Sequence, residues 1–345
     1  VFSQLLKVPP MTIDMQQFEQ RKRDHIRLAL LPENQANESH ALDRVQLMHE
    51  ALPDLDLSAV RMDTVRFSSP VSTPFIVSSM TAGHQNAVSI NHNLVAACVE
   101  NKWAMGVGSQ RRELSDDNAA DEWRELRKLY PKASLFGNLG IAQLIVTPIA
   151  KILRLCEVLE AEALIIHCNP LQESIQPEGT PQFKGCWQAI ESLVHQLGLP
   201  VIVKETGCGF NGKTIQRLDS LGVSAIDVSG LGGTHWGRIE GHRAVGSPLH
   251  QQVANSFRNW GISTLDSLLQ ARALSLSCEI WGSGGVRHGL DAAKLIALGA
   301  STIGFAKPLL APALESAEAV SLKMQQIEYE LKVAMFCTGS ARLDD

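Results

Sequence analysis

The chain has no apolar stretch near the roughly 20 residues that a membrane-spanning helix needs. That excludes a helical integral membrane protein. It has no C-x-x-C motif. Its cysteines (Cys98, Cys156, Cys168, Cys186, Cys208, Cys278 and Cys337) are seven, an odd number. Neither a structural zinc site nor a disulfide framework is expected, and a reducing cytoplasm fits. Positive charge is not in excess: 31 Lys and Arg stand against 36 Asp and Glu, for a net charge of −5. Neutralising phosphates requires a positive surface, so neither nucleic acid nor an anionic membrane is an expected partner. Proline and glycine are too few to suggest disorder, and no low-complexity tract occurs. The opening VFSQLLKVPP has few, interrupted apolar residues and no small-residue cleavage site, so it is not expected to be a signal peptide.

What is present is a rhythm. Eight short apolar runs recur, each followed by a helical pattern: 74–79, 104–107, 134–138, 163–167, 200–205, 225–228, 279–283 and 301–305. Their hydrophobicity is continuous, as in strands buried on both faces of a parallel sheet. The intervening segments are amphipathic, with Leu290, Ala293, Ile296 and Ala297 on one side of a predicted helix. Eight such units predict an α/β fold, a (β/α)8 TIM barrel. Two domains are expected. Residues 1–73 form an N-terminal extension that caps substrate, with a helix near 15–31 and a hairpin near 60–71. Residues 74–345 form the barrel, closed by helices over 308–337. The stretch 229–262 between the sixth and seventh runs is too long for a structureless loop without a task.

Barrel sites lie at the C-terminal ends of the strands, and phosphates often bind after the seventh and eighth. The seventh run leads into Gly284-Gly285-Val286-Arg287, and the eighth into Ala306-Lys307. Glycines let the backbone approach an anion, and the following helix N-terminus adds free N–H groups. A phosphate site is therefore predicted there, against a simpler reading of two tight turns. Polar groups follow the first six runs as well: Ser79-Met80-Thr81, Ser109-Gln110-Arg111, Asn138, His167 to Glu173, Lys204, and Ser229 to Thr234. Their convergence predicts a large polar ligand. Glu205 adjoins Lys204 on a strand, so it should face away from the barrel interior. Gly207-x-Gly209-x-x-Gly212, with Asp227 twenty residues beyond Gly207, has the shape of a dinucleotide fingerprint. A Rossmann sheet would not explain the glycines after the last two runs, so these are read as a tight β/α loop.

Taken together, these segments resemble the type 2 isopentenyl-diphosphate Δ-isomerases, FMN-dependent barrel enzymes. The resemblance runs from Arg21 to about Leu310 and rests on five segments. They are Arg21-Lys22-Arg23-Asp24-His25, Ser79-Met80-Thr81, Gly108-Ser109-Gln110-Arg111, His167-Cys168-Asn169-Pro170-Leu171-Gln172-Glu173 and Gly284-Gly285-Val286-Arg287. The fourth discriminates, and the others partly recur in flavin barrels. The resemblance implies that Ser79, Met80, Thr81, Ser109, Asn138, Lys204, Ser229 and Thr234 surround the flavin. Gly285, Val286, Arg287, Ala306 and Lys307 would hold the FMN phosphate.

It also implies that Arg21, Lys22 and Arg111 grip a substrate diphosphate, with His25, Ser109, Gln110, Asn169 and His167 nearby. Gln172 would lie against the isoprenoid carbons, and Glu173 would bind Mg²⁺. NADPH would serve only to reduce the flavin, and a homo-oligomer, tetramer or octamer, is implied. Ala82 departs from the glycine that many members carry after the threonine.

A double bond would move by adding a proton at one carbon and removing one from another. The flavin N5, Gln172 and His167 all stand as candidates for that work. His167 also reads as a strand-end histidine bonded to a neighbour, and the basic run 21–27 as a solvated helix face. Two rival functions remain. One is an FMN-dependent 2-hydroxy-acid oxidase, for which the Asn169-to-Glu173 segment has no purpose. The other is a flavin-binding scaffold without turnover, which has no need of Arg21, Lys22, Gln172 and Glu173.

Overall fold

The computed structural model describes residues 15–36, 40–80 and 85–345. The chain opens with α1 (Met15–Leu30) and a hairpin of β1 (Thr64–Arg66) and β2 (Ser69–Val71). The barrel strands follow: β3 (Phe75–Val77), β4 (Ala104–Gly106), β5 (Leu135–Gly140), β6 (Ala163–Cys168), β7 (Val201–Glu205), β8 (Ala225–Asp227), β9 (Glu279–Gly282) and β10 (Thr302–Phe305). All pair in parallel, each with the next, and β10 closes on β3. The eight predicted runs are these eight strands.

Between strands run α2 (Gln85–Asn101), α3 (Asp121–Leu129), α4 (Ile141–Val146), α5 (Ile149–Leu159), α6 (Pro170–Ile175), α7 (Cys186–Gln196) and α8 (Gly212–Ser220). Then come α9 (Trp236–Arg243), α10 (Pro248–Ser256), α11 (Thr264–Arg272), α12 (Gly289–Ala297), α13 (Lys307–Glu315) and α14 (Ala317–Phe336). The long stretch before β9 is thus filled by α9 and α10. His235 caps α9 by accepting from the Arg238 amide at 3.2 Å, and Pro248 starts α10.

Strand alternation sorts the side chains. One parity packs outward against the helices, with Val77, Leu164, Ile166, Val203 and Ile303 among its members. The other fills the barrel: Ile76, Ala104, Phe136, Ala163, Ile165, Ile202, Ala225 and Trp281. Two residues further along the same parity the inward positions turn polar. They are Ser78, Asn138, His167, Lys204, Asp227 and Ser283. The apolar layer is thus the lower part of the core, and the polar layer is the floor of the C-terminal mouth.

The N-terminal extension divides between the two ends of the barrel. The hairpin plugs the N-terminal end, where Phe67 packs on Phe136 and Trp281 with ring centroids 6.3 and 5.5 Å apart. Its amide donates to Glu279 Oε1 at 2.6 Å. The buried Arg66 guanidinium lies 5.8 Å from the Trp281 ring and 6.0 Å from that of Phe136. The sequence analysis assigned helix and hairpin together to a substrate cap, but only α1 and the segment after it lie at the mouth. Residues 1–14 lie outside the described residues.

Candidate active site

The C-terminal mouth holds a cavity of about 790 Å³. It is lined by nearly every predicted position: Arg21, Lys22, His25, Ser79, Met80, Ser109, Arg111, Asn138, His167, Asn169, Gln172, Glu173, Lys204, Ser229, Thr234, Gly285, Val286, Arg287, Ala306 and Lys307. Two predicted positions differ. Thr81, with the neighbouring Ala82, lies outside the described residues. Gln110 does not line the cavity. It is buried behind the wall, where its Oε1 accepts from the Asn138 amide at 3.1 Å and its own amide donates to the Asn138 carbonyl at 2.9 Å. It braces Asn138 from behind the wall. Glu205 faces outward and is wrapped by the amides of Thr206 (2.7 Å) and Gly209 (3.2 Å). Gly207 and Gly209 of the apparent dinucleotide fingerprint therefore wrap this carboxylate, whose pKa burial raises to about 7, while the Gly212 amide donates to Gln270.

The floor is a chain of paired groups. Asn138 Nδ2 donates to the Val107 carbonyl at 3.0 Å, which leaves its Oδ1 to accept from His167 Nδ1 at 2.8 Å. That bond fixes the His167 tautomer with Nε2 as an acceptor. Burial, with Lys22 and Lys204 nearby, lowers the His167 pKa to about 4, so the ring is neutral near pH 7. Lys204 Nζ donates to Asp227 Oδ2 at 2.6 Å and to Ser283 Oγ at 2.8 Å.

The expected phosphate turn is an anion cradle. Its carbonyls are occupied. Thr264 Oγ1 donates to those of Ser283 (3.0 Å) and Gly284 (2.6 Å), and His40 Nε2 to that of Gly285 (2.7 Å). No partner is recorded for the Gly284, Gly285 and Val286 amides among the described residues. Gly285 has φ +80°, and a Cβ there would stand 2.5 Å from the Gly232 carbonyl oxygen. Only glycine fits that turn. The N-terminus of α13 carries no side-chain cap. By contrast, the first turn of α12 is occupied by His288, Glu330 and Asp291.

Arg287 needs a correction. Its guanidinium is bound to Asp291 (2.9 Å) and Asp43 (2.5 Å), and its amide to Asp291 (3.0 Å). Its charge is therefore compensated, and it stiffens the turn more than it attracts an anion. Further polar atoms are left open: Ser78 Oγ, Ser79 Oγ and Gln143 Nε2 are buried without a partner. Free amides, unpartnered hydroxyls and a buried ammonium around one cavity fit a phosphorylated polar cofactor.

Above the floor stands a group that the sequence reading missed. Glu240 on α9 is fully buried and gathers residues from three elements. Its Oε1 accepts from His25 Nε2 at 2.8 Å and from Gln172 Nε2 at 2.9 Å, and its Oε2 from Arg243 Nη1. Gln176, its amide oriented to match its neighbours, donates to Glu240 at 3.2 Å and accepts from Arg21 Nη1 at 3.3 Å. Burial opposes the Glu240 charge. The His25 and Arg243 contacts and the Gln172 bond outweigh it and hold the pKa at about 2. His25 is pushed below its ordinary value by burial, so it serves as a neutral donor. The only hint in the sequence was the unexplained length of the segment that carries Glu240. Asp227 was also missed as a site residue, although a lone carboxylate in the apolar run 225–228 marked it.

At the rim, Asn169 Nδ2 donates to Gln172 Oε1 (3.1 Å) and to Glu173 Oε1 (3.0 Å), and the Thr180 amide donates to Glu173 Oε2. Two further acceptor sites of the Glu173 carboxylate stay open, which suits one divalent cation that also binds ligand oxygens. In the same cavity, Lys22 has its pKa lowered to about 7 by burial, then by Arg21 and Arg111, against the pull of Glu113. The segment after α1 is tied over this mouth. Ala36 N donates to the Gly233 carbonyl at 2.7 Å, and Arg238 Nη1 to the Gln35 carbonyl at 2.7 Å.

The barrel and its anion-cradling mouth define the class of FMN-binding (β/α)8 barrel proteins, and the comparisons agree. Residues 162–345 match the family described as FMN-dependent dehydrogenase. A mandelate oxidase superposes with a TM-score of 0.63 at 18% identity, covering 94% of this chain and 96% of that one. A likeness at that identity shows the fold alone. A protein of Legionella pneumophila (strain Lens) called isopentenyl-diphosphate delta-isomerase is 64% identical over 95% of this chain and 96% of its own. One of the same name from Bdellovibrio bacteriovorus is 54% identical over 95% and 96%. The chain belongs to the isopentenyl-diphosphate delta-isomerase family, in its type 2, FMN-dependent branch.

Proposed function

We propose that this protein interconverts isopentenyl diphosphate and dimethylallyl diphosphate, with FMN and Mg²⁺ bound at the barrel mouth and NADPH as the flavin's reductant. The observation that carries this reading is that Gln172 and Glu173 on α6 and Arg21 and Lys22 on α1 line one cavity. A 2-hydroxy acid has no use for a metal-binding carboxylate in one cavity with these two cations, and a scaffold needs neither.

When bound and reduced, FMN supplies electron density and a proton-exchanging nitrogen beside the alkene. Gly284, Gly285 and Val286 would hold its phosphate through their amides, and Lys307 adds charge. Glu173 would carry Mg²⁺, which would supply positive charge to offset the negative charge of the diphosphate. Arg21, Lys22 and Arg111 would take the remaining phosphate oxygens. Gln172 is held at both ends of its amide, by Glu240 and by Asn169, so it presents one face to the substrate carbons without rotating. His167, neutral at pH 7, is no ready acid; it can accept a proton at Nε2. Closure by α1 keeps water from a cationic intermediate.

Anaerobic incubation with FMN, NADPH, Mg²⁺ and isopentenyl diphosphate should give dimethylallyl diphosphate only when the flavin is reduced. Turnover of lactate or glycolate instead would favour the oxidase. Glu173→Gln should lower Mg²⁺-dependent turnover at least about 100-fold, the equivalent of roughly 2.7 kcal/mol, while FMN stays bound.

We also infer a homo-oligomer. Val245, Leu249, Val253, Phe257 and Trp260 form an exposed apolar stripe along and beyond α10, supporting contact with a second copy. Light scattering reads the mass. Among the described residues no helix is long and apolar enough to cross a membrane, and the net charge of −5 disfavours nucleic acid. The seven free thiols support a cytoplasmic setting.

A further inference from the structure

Lys204 and Asp227 are partners in the β7–β8 register, both on the inward parity. Their residues are 6% and 1% exposed, and Nζ to Oδ2 is 2.6 Å. Ser283 completes a closed triangle. Its Oγ accepts from Lys204 at 2.8 Å and donates to Asp227 Oδ1 at 2.7 Å. Lys204 and Ser283 line the cavity, whereas Asp227 stands behind them and does not. Asp227 therefore cannot serve as a ligand-contacting group, yet a carboxylate inside a barrel core is costly unless it has a task.

We propose that Asp227 is a positioning residue: with Ser283 it holds the Lys204 ammonium in the cavity floor and keeps it charged, so that bound FMN meets one fixed positive charge in both redox states. This rests on the FMN reading above and adds to it. The charged or titratable neighbours of Lys204 are few. Asp227 faces it from β8. His167, its register partner on β6, is a neutral ring. Glu205 on the same strand faces outward and is satisfied by loop amides. Among the described residues only Asp227 neutralises the ammonium directly. Without it, a buried lone ammonium is driven toward the neutral amine. An anionic reduced flavin beside it would draw the proton back.

The consequence is countable. Take a flavin reduced by two electrons delivered from an electrode through mediator dyes. In the parent protein every proton taken up goes to the flavin. In Asp227→Asn one more proton is taken up, and it goes to Lys204 Nζ. The midpoint potential of the FMN-loaded variant should therefore fall with pH more steeply than the parent's, by the increment of one extra proton per two electrons. Asp227→Asn combined with Lys204→Met should return to the parent slope. Ser283→Ala should move the slope in the same direction by less.

An unchanged slope in Asp227→Asn overturns the proposal. If that variant binds no FMN, recovery of binding in the double variant supports it, and failure of both overturns it, because Asp227 is then structural. If the parent itself binds no FMN, the flavin reading falls. The charge-holding role is then read on the flavin-free protein, where acetic anhydride at pH 7 must acetylate Lys204 faster in Asp227→Asn than in the parent. Equal rates refute it.

Discussion

The two ends of this barrel solve one problem in opposite ways. Each must close an opening left by the eight strands, and each buries a cation in doing so. At the N-terminal end, closure is built into the chain. The hairpin drives Phe67 onto Phe136 and Trp281, and Arg66 lies over those rings near Glu279. At the C-terminal end the same strands finish in Ser78, Asn138, His167, Lys204, Asp227 and Ser283, and a cavity of about 790 Å³ remains. Its free amides and unpartnered hydroxyls are satisfied only by a bound group. One end spends its side chains on stability and the other on recognition.

Mutations should separate the ends. The largest effect is expected at the mouth. Glu240→Gln leaves His25, Gln172 and Arg243 without their shared anion. Breaking such a buried cluster costs roughly 3–5 kcal/mol, so turnover should fall about 150- to 5,000-fold with FMN still bound. Steady-state assays with flavin absorbance check both halves. Turnover within tenfold of the parent would show that Gln172 needs no fixed orientation.

At the other end, Phe67→Ala should lose about 3 kcal/mol of unfolding stability, in line with large-to-small core changes. Urea denaturation reads the loss, and the KM for the diphosphate should not move. A changed KM would mean that the two ends communicate through the strands.

The smallest effect is one of pH. Lys22 has its pKa lowered to about 7, so the folded protein binds fewer protons there than the unfolded chain between about 7 and the ordinary lysine value. On its own, this group makes stability rise with pH across that window. A diphosphate restores its charge, so binding takes up a proton above pH 7. Inorganic diphosphate affinity should then weaken up to about tenfold per pH unit above 7, and Lys22→Arg should flatten the profile. Calorimetric titration in two buffers of different ionisation heat counts the proton. At the opposite end, where Arg66 titrates at about 10, the stability lost through Phe67→Ala should be the same at pH 7 and pH 8, both variant and parent carrying the Lys22 contribution.

Much of this was readable beforehand, for definite reasons. Continuous apolar runs of strand length identified all eight strands, because burial on both faces leaves no polar alternation. Period-two geometry separated inward Lys204 from outward Glu205. Glycines after the seventh run marked the anion turn, since a side chain at Gly285 would strike Gly232. Other residues were misjudged because their partners are distant in sequence. Arg287 does line the cavity, but its pairing with Asp43, far upstream, was not legible in the sequence. Gln110 looked like a cavity residue, but it serves Asn138 from behind.

The sequence alone determined the barrel, the end that bears the site and most of the side chains around it. Those follow from local periodicity and from residue chemistry at strand ends. Only the tertiary structure decided how those side chains are charged and held. Glu240 lies 68 residues from Gln172 and 215 from His25, and Asp227 lies 23 residues from Lys204. Pairings over such separations are set by strand register and helix docking, and it is burial beside a particular partner that fixes protonation.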